Sequence, residues 1–284
     1  MMAAPSSMVP QEWPRLSLLG LPIEIRREIY SYLLPSTTNI HPRLNHQESS
    51  SSAKKEYKLT FVPINLNGCT GVWKILPTRP NSSHDTGHDI VWRRGSVVLL
   101  RTNRQIHEEC ATMIYGESTF VIDVTFDSVH FRYRWLVSSS NLMPGRSYSF
   151  LDHFSARNLM RIKNYVVNIE HVDDYTGMIK YNHRGQNLAA GILVQVSDLV
   201  ELLAGVPCLN RVSIQLVDGD ISRVRFPSGR VHRVQDERNF EVSQKVLEPW
   251  RRVYGVRYAV VKGVSEEFGA ELEKSMMASR GGTD

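Results

Sequence analysis

The sequence predicts a mixed α/β protein, in which a helical N-terminal module with a strand-bearing insertion precedes strand–helix units that form a short parallel sheet. Three β-like segments in the C-terminal half begin at Val166, Val212 and Tyr258, so 46 residues separate each start from the next. A stretch with helical periodicity follows each segment. Alternation of this kind implies parallel strands with right-handed crossovers, and the period lies within the range of repeat arrays.

Two helices define the N-terminal module. The first follows Pro22, whose missing N–H suits the start of a helix. The second is "SVVLLRTNRQIHEECATMIYG", with Ser96 as its N-cap and Gly116 as its terminator. Between them, "YKLTFVPINL" and "GVWKI" have strand character, so residues 35–95 form an insertion. The predicted loops of this insertion are residues 36–58 and 76–89.

Further elements follow the second helix. "STFVIDV" is a predicted strand, and Asp127 is predicted to begin an amphipathic helix in "DSVHFRYRWLVSS". Residues 188–196 fit a helix or a strand equally well. Residues 222–234 are predicted to form a hairpin that closes at "PSG".

Composition predicts a protein of the cytoplasm or the nucleus. The 284 residues include 34 Lys+Arg and 29 Asp+Glu, a net charge of +5, without the basic run of a nucleic-acid-binding tail. No apolar stretch approaches the roughly 20 residues that span a bilayer, and the first residues lack the features of a secretory signal. We therefore expect no membrane partner. The cysteines Cys69, Cys110 and Cys208 are too far apart for a disulfide framework or a zinc site, which favours a reducing compartment.

Catalytic signatures are absent from the sequence, which has no Walker loop, Rossmann glycine pattern, nucleophile elbow or HExxH motif. Three groups of residues are chemically able to bind a metal or transfer protons, but a core cysteine, a solvated loop and a turn are the favoured interpretations. These groups are His107 with Cys110, the loop residues His84, Asp85, His88 and Asp89, and the pair Asp173 and Asp174. We expect no enzyme activity, no cofactor and no metal.

The first helix carries apolar side chains on two faces, although one face is enough to pack a helix on its own core. At about 100° per residue, one stripe contains Ile25, Ile29, Tyr32 and Leu33, and the other contains Ile23, Tyr30 and Leu34, with Arg26 between them. We predict that the first stripe packs on the protein's own core. The second stripe, with Leu21 and Pro22, is predicted to remain partly exposed for a partner.

The same segment, "LPIEIRREIYSYL", resembles the first helix of the F-box. The positions of the F-box pattern are occupied by Leu21, Pro22, Glu24, Ile25, Ile29, Tyr32 and Leu33. A large group of F-box-like proteins from filamentous fungi pairs LPxEIRxxIYxYLL with LLRTxRQIxxEAxxxxYGxxTF. "VVLLRTNRQIHEECATMIYGESTFVID" is similar to the second of these signatures, and "VLEPWRRVYGVRYAVVKGVS" resembles the C-terminal units of that group.

The resemblance implies a substrate adaptor. In the F-box family the first helix binds the Skp adaptor of cullin-RING ubiquitin ligases, and a C-terminal domain holds the target protein. Residues 15–125 would then form the F-box-like helical module, and residues 126–280 an α/β region, either leucine-rich-repeat-like or a plain sheet. The candidate adaptor-binding residues are the pattern positions together with Ile23, Tyr30 and Leu34.

Two alternatives remain open. The F-box-like helix could be purely structural and pack entirely inside its own domain. The protein could also be a nuclear scaffold that binds nucleic acid through a basic β-ribbon, although the solubility of an exposed ribbon explains its arginines at least as well. The arginines of that ribbon are Arg223, Arg225, Arg230 and Arg233.

Overall fold

The computed structural model has an α/β architecture built around a six-stranded sheet. It describes residues 17–39, 59–66, 69–77, 87, 89–135, 145–219, 221–225, 231–235 and 238–279. The helices are α1 (Ile23–Leu33), α2 (Arg104–Glu117), α3 (Phe150–His153), α4 (Ala156–Leu159), α5 (Asp174–Tyr181), α6 (Leu188–Ala204), α7 (Arg238–Ser243) and α8 (Glu266–Met277). The strands are β1 (Ser36–Asn39), β2 (Leu59–Leu66), β3 (Cys69–Pro77), β4 (Ile90–Arg93), β5 (Thr119–Val124), β6 (Val129–Arg134), β7 (Gly145–Ser149), β8 (Asn164–Glu170), β9 (Arg211–Val217), β10 (Ile221–Arg225), β11 (Val231–Gln235) and β12 (Tyr258–Lys262). Stretches of 3-10 helix cover Leu18–Gly20, Val98–Arg101 and Gln244–Arg252.

The strand order of the central sheet is β12-β9-β8-β5-β6-β7. The four strands from β12 to β5 are parallel, whereas β6 and β7 are antiparallel to their neighbours. Asn164 pairs with Arg211 and Arg211 pairs with Tyr258, an offset of 47 residues in both cases. The prediction that the strands near Val166, Val212 and Tyr258 are parallel neighbours in one sheet is therefore confirmed.

The hydrophobic core lies on one face of this sheet. Tyr165, Val167 and Ile169 of β8 join it, and alternate residues of β9 and β12 continue it across the sheet. Helix α6 packs against β5, β8 and the 3-10 segment Gln244–Arg252, and α8 packs against β12. The ambiguous residues 188–196 belong to α6, because an apolar stripe at helical spacing faces the core along the whole helix.

Helix α2 begins later than the sequence predicts. Asn103 is its N-cap, and the side-chain oxygen of Asn103 accepts a hydrogen bond from the backbone N–H of Ile106 at 2.8 Å. Ser96 instead precedes the 3-10 segment Val98–Arg101, and α2 runs one residue past Gly116. The chain therefore makes a short 3-10 turn and then α2, rather than one long helix.

A two-stranded sheet joins the first and last strands of the insertion, β1 and β4. β1 pairs with β4 in antiparallel register, so residues 36–39 form a strand where a loop was predicted. The two predicted strands inside the insertion form the antiparallel pair β2–β3. The chain then returns to the end of α1, because the N–H of Ser96 donates to the carbonyl of Leu33 at 2.6 Å.

The predicted helix after Asp127 is wrong, because β6 occupies this part of the chain. Val129 and Phe131 are buried while His130 and Arg132 are less so, which is the alternation of a strand that pairs with β5. The Asp127 carboxylate accepts hydrogen bonds from the hydroxyls of Thr125 and Ser128 at 2.6 and 2.9 Å. Asp127 therefore stabilises the turn between two strands rather than the start of a helix.

The proposed division at residue 125 falls between β5 and β6, which pair within the same sheet. The buried hydrophobic side chains also form one continuous cluster, which extends from Tyr30 in α1 to Met276 in α8.

Among the helices of the described residues, none combines the length and apolar character that crossing a bilayer would require.

Candidate protein-docking site

The face of α1 that packs on the core is the one predicted to remain exposed. Tyr30 is 0% exposed, and Leu34, which follows the helix, is also buried. Both belong to the hydrophobic core. Arg26, which lies between the two stripes, is buried with them. The assignment of Tyr30 and Leu34 to a free partner face was therefore wrong.

The stripe predicted to pack on the core is largely solvent-exposed. Ile25 is 51% exposed and Tyr32 is 79% exposed, Leu33 is exposed and Ile29 is half-buried. The other candidate positions lie at the start of the helix, with Pro22, Ile23 and Glu24 exposed and Leu21 half-buried. Four positions of the F-box pattern thus form the uncovered stripe of α1.

A buried ion pair explains why α1 packs in this orientation. The Arg26 guanidinium donates from Nε to Glu109 Oε2 at 3.0 Å and from Nη2 to Glu109 Oε1 at 2.6 Å. The hydroxyl of Tyr30 donates to the same carboxylate at 3.0 Å, and so does the side-chain amide of Gln105. Removing a charged group from water requires such a set of partners. Turning α1 to bury the other stripe would break the contacts of Arg26 and Tyr30 with Glu109.

Arg26 also fixes the chain that leads into α1. Its Nη1 donates to the carbonyl oxygens of Leu19 at 3.2 Å and Leu21 at 2.6 Å. The guanidinium, which α1 carries, therefore bonds to two other parts of the module: the segment before α1, and α2. Rigid attachment of this kind pre-organises the exposed stripe of α1.

The four side chains of this network come from both signature segments. Arg26 and Tyr30 occupy pattern positions of the first segment, and Gln105 and Glu109 occupy pattern positions of the second. Sequence reasoning treated Arg26 only as a boundary between two stripes. One signal could have identified this role. Arg26 is a basic residue among apolar ones in the first signature segment, and Glu109 is a carboxylate in the second.

The network shifts the pKa values of its members. Hydrogen bonds from Arg26 hold the pKa of the Glu109 carboxyl below its ordinary value, against the opposing effect of burial. Burial, together with the hydrogen bond to the Glu109 carboxylate, raises the pKa of Tyr30 to about 12. The ionised carboxylate and the neutral phenol are thus the forms that the fold favours.

Glu109→Gln is expected to make the protein less sensitive to acid. A carboxyl whose pKa is lowered by folding stabilises the protein above its unfolded-state pKa, and that stabilisation disappears as the pH falls through the folded-state pKa. Near pH 7 the variant should be less stable by about 1.5–3 kcal/mol, the contribution of hydrogen bonds to a charged group. This difference should shrink as the pH approaches 3.

Urea denaturation at a series of pH values measures this effect, with Glu24→Gln as the matched control. Glu24 is exposed on α1, the helix that carries Arg26, so its substitution should change stability by no more than about 0.5 kcal/mol. A wild-type minus Glu109→Gln difference that stays constant from pH 7 to pH 3 would contradict the role given to the ion pair.

The apolar surface continues beyond α1. The hydrogen bond between Ser96 and Leu33 places the residues after the insertion next to the end of the helix. Val97 and Val98 follow there and are exposed. Contiguous exposed apolar side chains of this kind mark binding surfaces more often than isolated ones do. We define the docking face as Ile25, Ile29, Tyr32 and Leu33 of α1 together with Val97 and Val98.

A groove of about 420 Å³ lies between the C-terminal end of α1, β1 and the C-terminal end of α2. Tyr32, Leu34, Thr37, Met113 and Ile114 are among its lining residues. Tyr32 belongs to both the docking face and this groove. A partner that covers the docking face would therefore find a recess with both polar and apolar lining beside Tyr32 for one of its side chains.

The remaining candidate residues form no site in the described part of the chain. No group of three or more His, Cys, Asp or Glu side chains able to hold a metal occurs there. Cys110 is buried, and Nδ1 of His107 lies 2.8 Å from the carbonyl oxygen of Leu100. Asp173 is the N-cap of α5 and accepts from the N–H of Thr176 at 2.7 Å, so the pair Asp173 and Asp174 begins a helix where a turn was predicted. His84, Asp85 and His88 lie outside the described residues.

The predicted basic hairpin is present as the antiparallel pair β10–β11. Its register places Arg223 opposite Arg233 and Arg225 opposite Val231. Arg230 and the predicted turn at "PSG" lie outside the described residues. Use of these arginines to bind nucleic acid stays a prediction.

Residues 13–142 match a protein family described as a domain of unknown function (DUF7730). The matched region contains α1, the insertion, α2 and the first two strands of the central sheet. One family pattern thus covers both signature segments and the buried network that joins them. No curated protein and no solved structure matches the chain.

Proposed function

We propose that this protein is a non-enzymatic, F-box-like interaction protein that links a target protein to a Skp-type adaptor of a cullin ubiquitin ligase in the cytoplasm or the nucleus. The observation that carries the proposal is the exposed apolar stripe of α1. Ile25, Tyr32 and Leu33 are exposed, and in the resemblance to the F-box they occupy pattern positions.

The way α1 is held supports a docking role for this stripe. The protein's own core uses Tyr30 and Leu34, and the ion pair of Arg26 with Glu109 fixes the helix on α2. The remaining stripe therefore contributes little to the core, so its apolar character needs a different explanation. Burial against a partner supplies one, since each large apolar side chain that leaves water contributes about 1.5–3 kcal/mol.

A single charge on the docking face is expected to abolish tight adaptor binding. Ile25→Glu should weaken binding of a purified Skp-type adaptor by about 30-fold or more, the effect of losing a contact of about 2 kcal/mol. Isothermal titration of the full chain with the adaptor measures this change. Because Ile25 is half exposed to solvent, the free energy of unfolding should change by less than about 1 kcal/mol.

Val194→Glu on α6 is the matched control, because Val194 is 55% exposed and Ile25 is 51% exposed. The control variant should bind the adaptor as the wild type does. Absence of adaptor binding by the wild type would refute the ligase role. Equal binding by wild type and Ile25→Glu would show that any binding uses another surface.

A further inference from the structure

A row of exposed cations lies at the amino-terminal edge of the three parallel strands β8, β9 and β12. Lys163 immediately precedes β8, Arg211 is the first residue of β9, and Arg257 immediately precedes β12. All three side chains are exposed. Within the described part of the chain, none of them takes part in an ion pair. Their charge is therefore available to a ligand.

Backbone hydrogen bonds fix the chain positions from which these cations extend. The carbonyl of Lys163 accepts from the N–H groups of Asn210 at 2.9 Å and Arg211 at 3.1 Å. The N–H of Arg257 donates to the carbonyl of Leu209 at 3.1 Å. Since neighbouring strands lie about 4.8 Å apart, the row spans roughly 10 Å from Lys163 to Arg257, and Arg211 lies one register position further along the sheet than these two. The edge is thus a short basic surface on a fixed backbone.

Arg211 is further oriented by an aromatic neighbour. Its guanidinium carbon lies 5.5 Å from the ring centroid of Tyr258, which is itself 52% exposed. A cation above a ring of this kind keeps its planar N–H edge free for paired hydrogen bonds to a carboxylate. The same contact occupies one face of the Tyr258 ring.

Several carboxylates lie at the opposite edge of the sheet. Glu170 ends β8, Asp173 and Asp174 follow it, and Asp218 follows β9. Near Lys163, the carboxylate of Glu108 is already paired with Arg157 and Arg161. The amino-terminal edge therefore presents a positive surface that these side chains do not neutralise.

We propose that this edge binds a short acidic segment of the target protein. The inference rests on the proposed function, for which it supplies the recognition of the target. A span of roughly 10 Å corresponds to about three residues of extended chain at 3.3 Å each. Because Arg211 covers one face of Tyr258 and the row is short, the surface offers less to a nucleic acid, which requires a longer charged groove and stacking faces.

Fluorescence anisotropy with two labelled peptides tests the proposal on the full chain. One peptide contains several glutamates, and the other has glutamine at the same positions. The wild type should bind only the glutamate peptide, and the affinity should fall as salt is added. The double variant Arg211→Glu with Arg257→Glu should weaken binding by about tenfold or more.

Lys262→Glu is the matched control, because Lys262 is an exposed cation at the other end of β12. It should leave peptide binding unchanged. Equal binding of both peptides, or an equal loss in the control variant, would overturn the proposal. Tighter binding of a single-stranded oligonucleotide that is abolished by the double variant would also overturn it in favour of a nucleic-acid partner.

The two proposals fail separately. The double variant should retain adaptor binding, because its substitutions lie on β9 and beside β12 rather than on α1. Ile25→Glu should retain peptide binding for the same reason. If the wild type binds the peptide but not the adaptor, only the ligase role is refuted. If it binds the adaptor but not the peptide, only the acidic-segment proposal is refuted.

Discussion

Tyr30→Ala is expected to destabilise the fold by about 3–5 kcal/mol, the cost of truncating a large aromatic side chain in a core. Tyr30 is 0% exposed and belongs to the hydrophobic cluster. Its hydroxyl also donates to Glu109, so truncation leaves that carboxylate with one partner fewer. The loss is therefore a combination of an apolar cavity and a weakened buried ion pair.

Tyr32→Ala provides the matched comparison, because Tyr32 is a tyrosine on the same helix but is 79% exposed. Its effect on stability should be about 0.5 kcal/mol or less, as for most surface substitutions. Urea denaturation followed by circular dichroism measures both values, with the midpoint shifted strongly only in Tyr30→Ala. Similar midpoints for the two variants would show that Tyr30 does not pack in the core.

The pattern of apolar residues predicted the two stripes of α1 but not which of them faces the core. Helical spacing places side chains on faces, and both faces of α1 are apolar. The choice depends on Arg26 and Glu109, which are 83 residues apart in the chain. A contact between such distant residues leaves no periodic signal. The two stripes could therefore be predicted from the sequence, while the orientation of the helix could not.

The parallel sheet was more predictable than the strands at its antiparallel edge. The strands β8, β9 and β12 have apolar, β-branched sequences and equal spacing, and these two signals agree. In β6, Val129 and Phe131 alternate with polar residues for only a few positions, which fits a strand or the start of an amphipathic helix. Pairing with β5 decides in favour of the strand.

Gly263→Ala is expected to be the other strongly destabilising substitution. Gly263 follows β12 with a φ of +77°, a conformation that costs a residue with a side chain about 1–2 kcal/mol. A Cβ at this position would lie 2.0 Å from the carbonyl oxygen of Leu216 and 2.8 Å from Nε2 of Gln215. Because the carbonyl belongs to β9, the clash can be relieved only by moving backbone in the sheet, at a further cost of about 1–3 kcal/mol.

Gly255→Ala separates these two effects. Gly255 has a φ of +72°, close to that of Gly263, but a Cβ there would meet nothing within 4 Å. It should therefore cost only the conformational term of about 1–2 kcal/mol, whereas Gly263→Ala should cost about 2–5 kcal/mol in the same urea titration. Equal losses would mean that β9 and the end of β12 do not approach as closely as described. A larger loss in Gly263→Ala would show that the close contact between these two parallel strands depends on the absence of a side chain at this position.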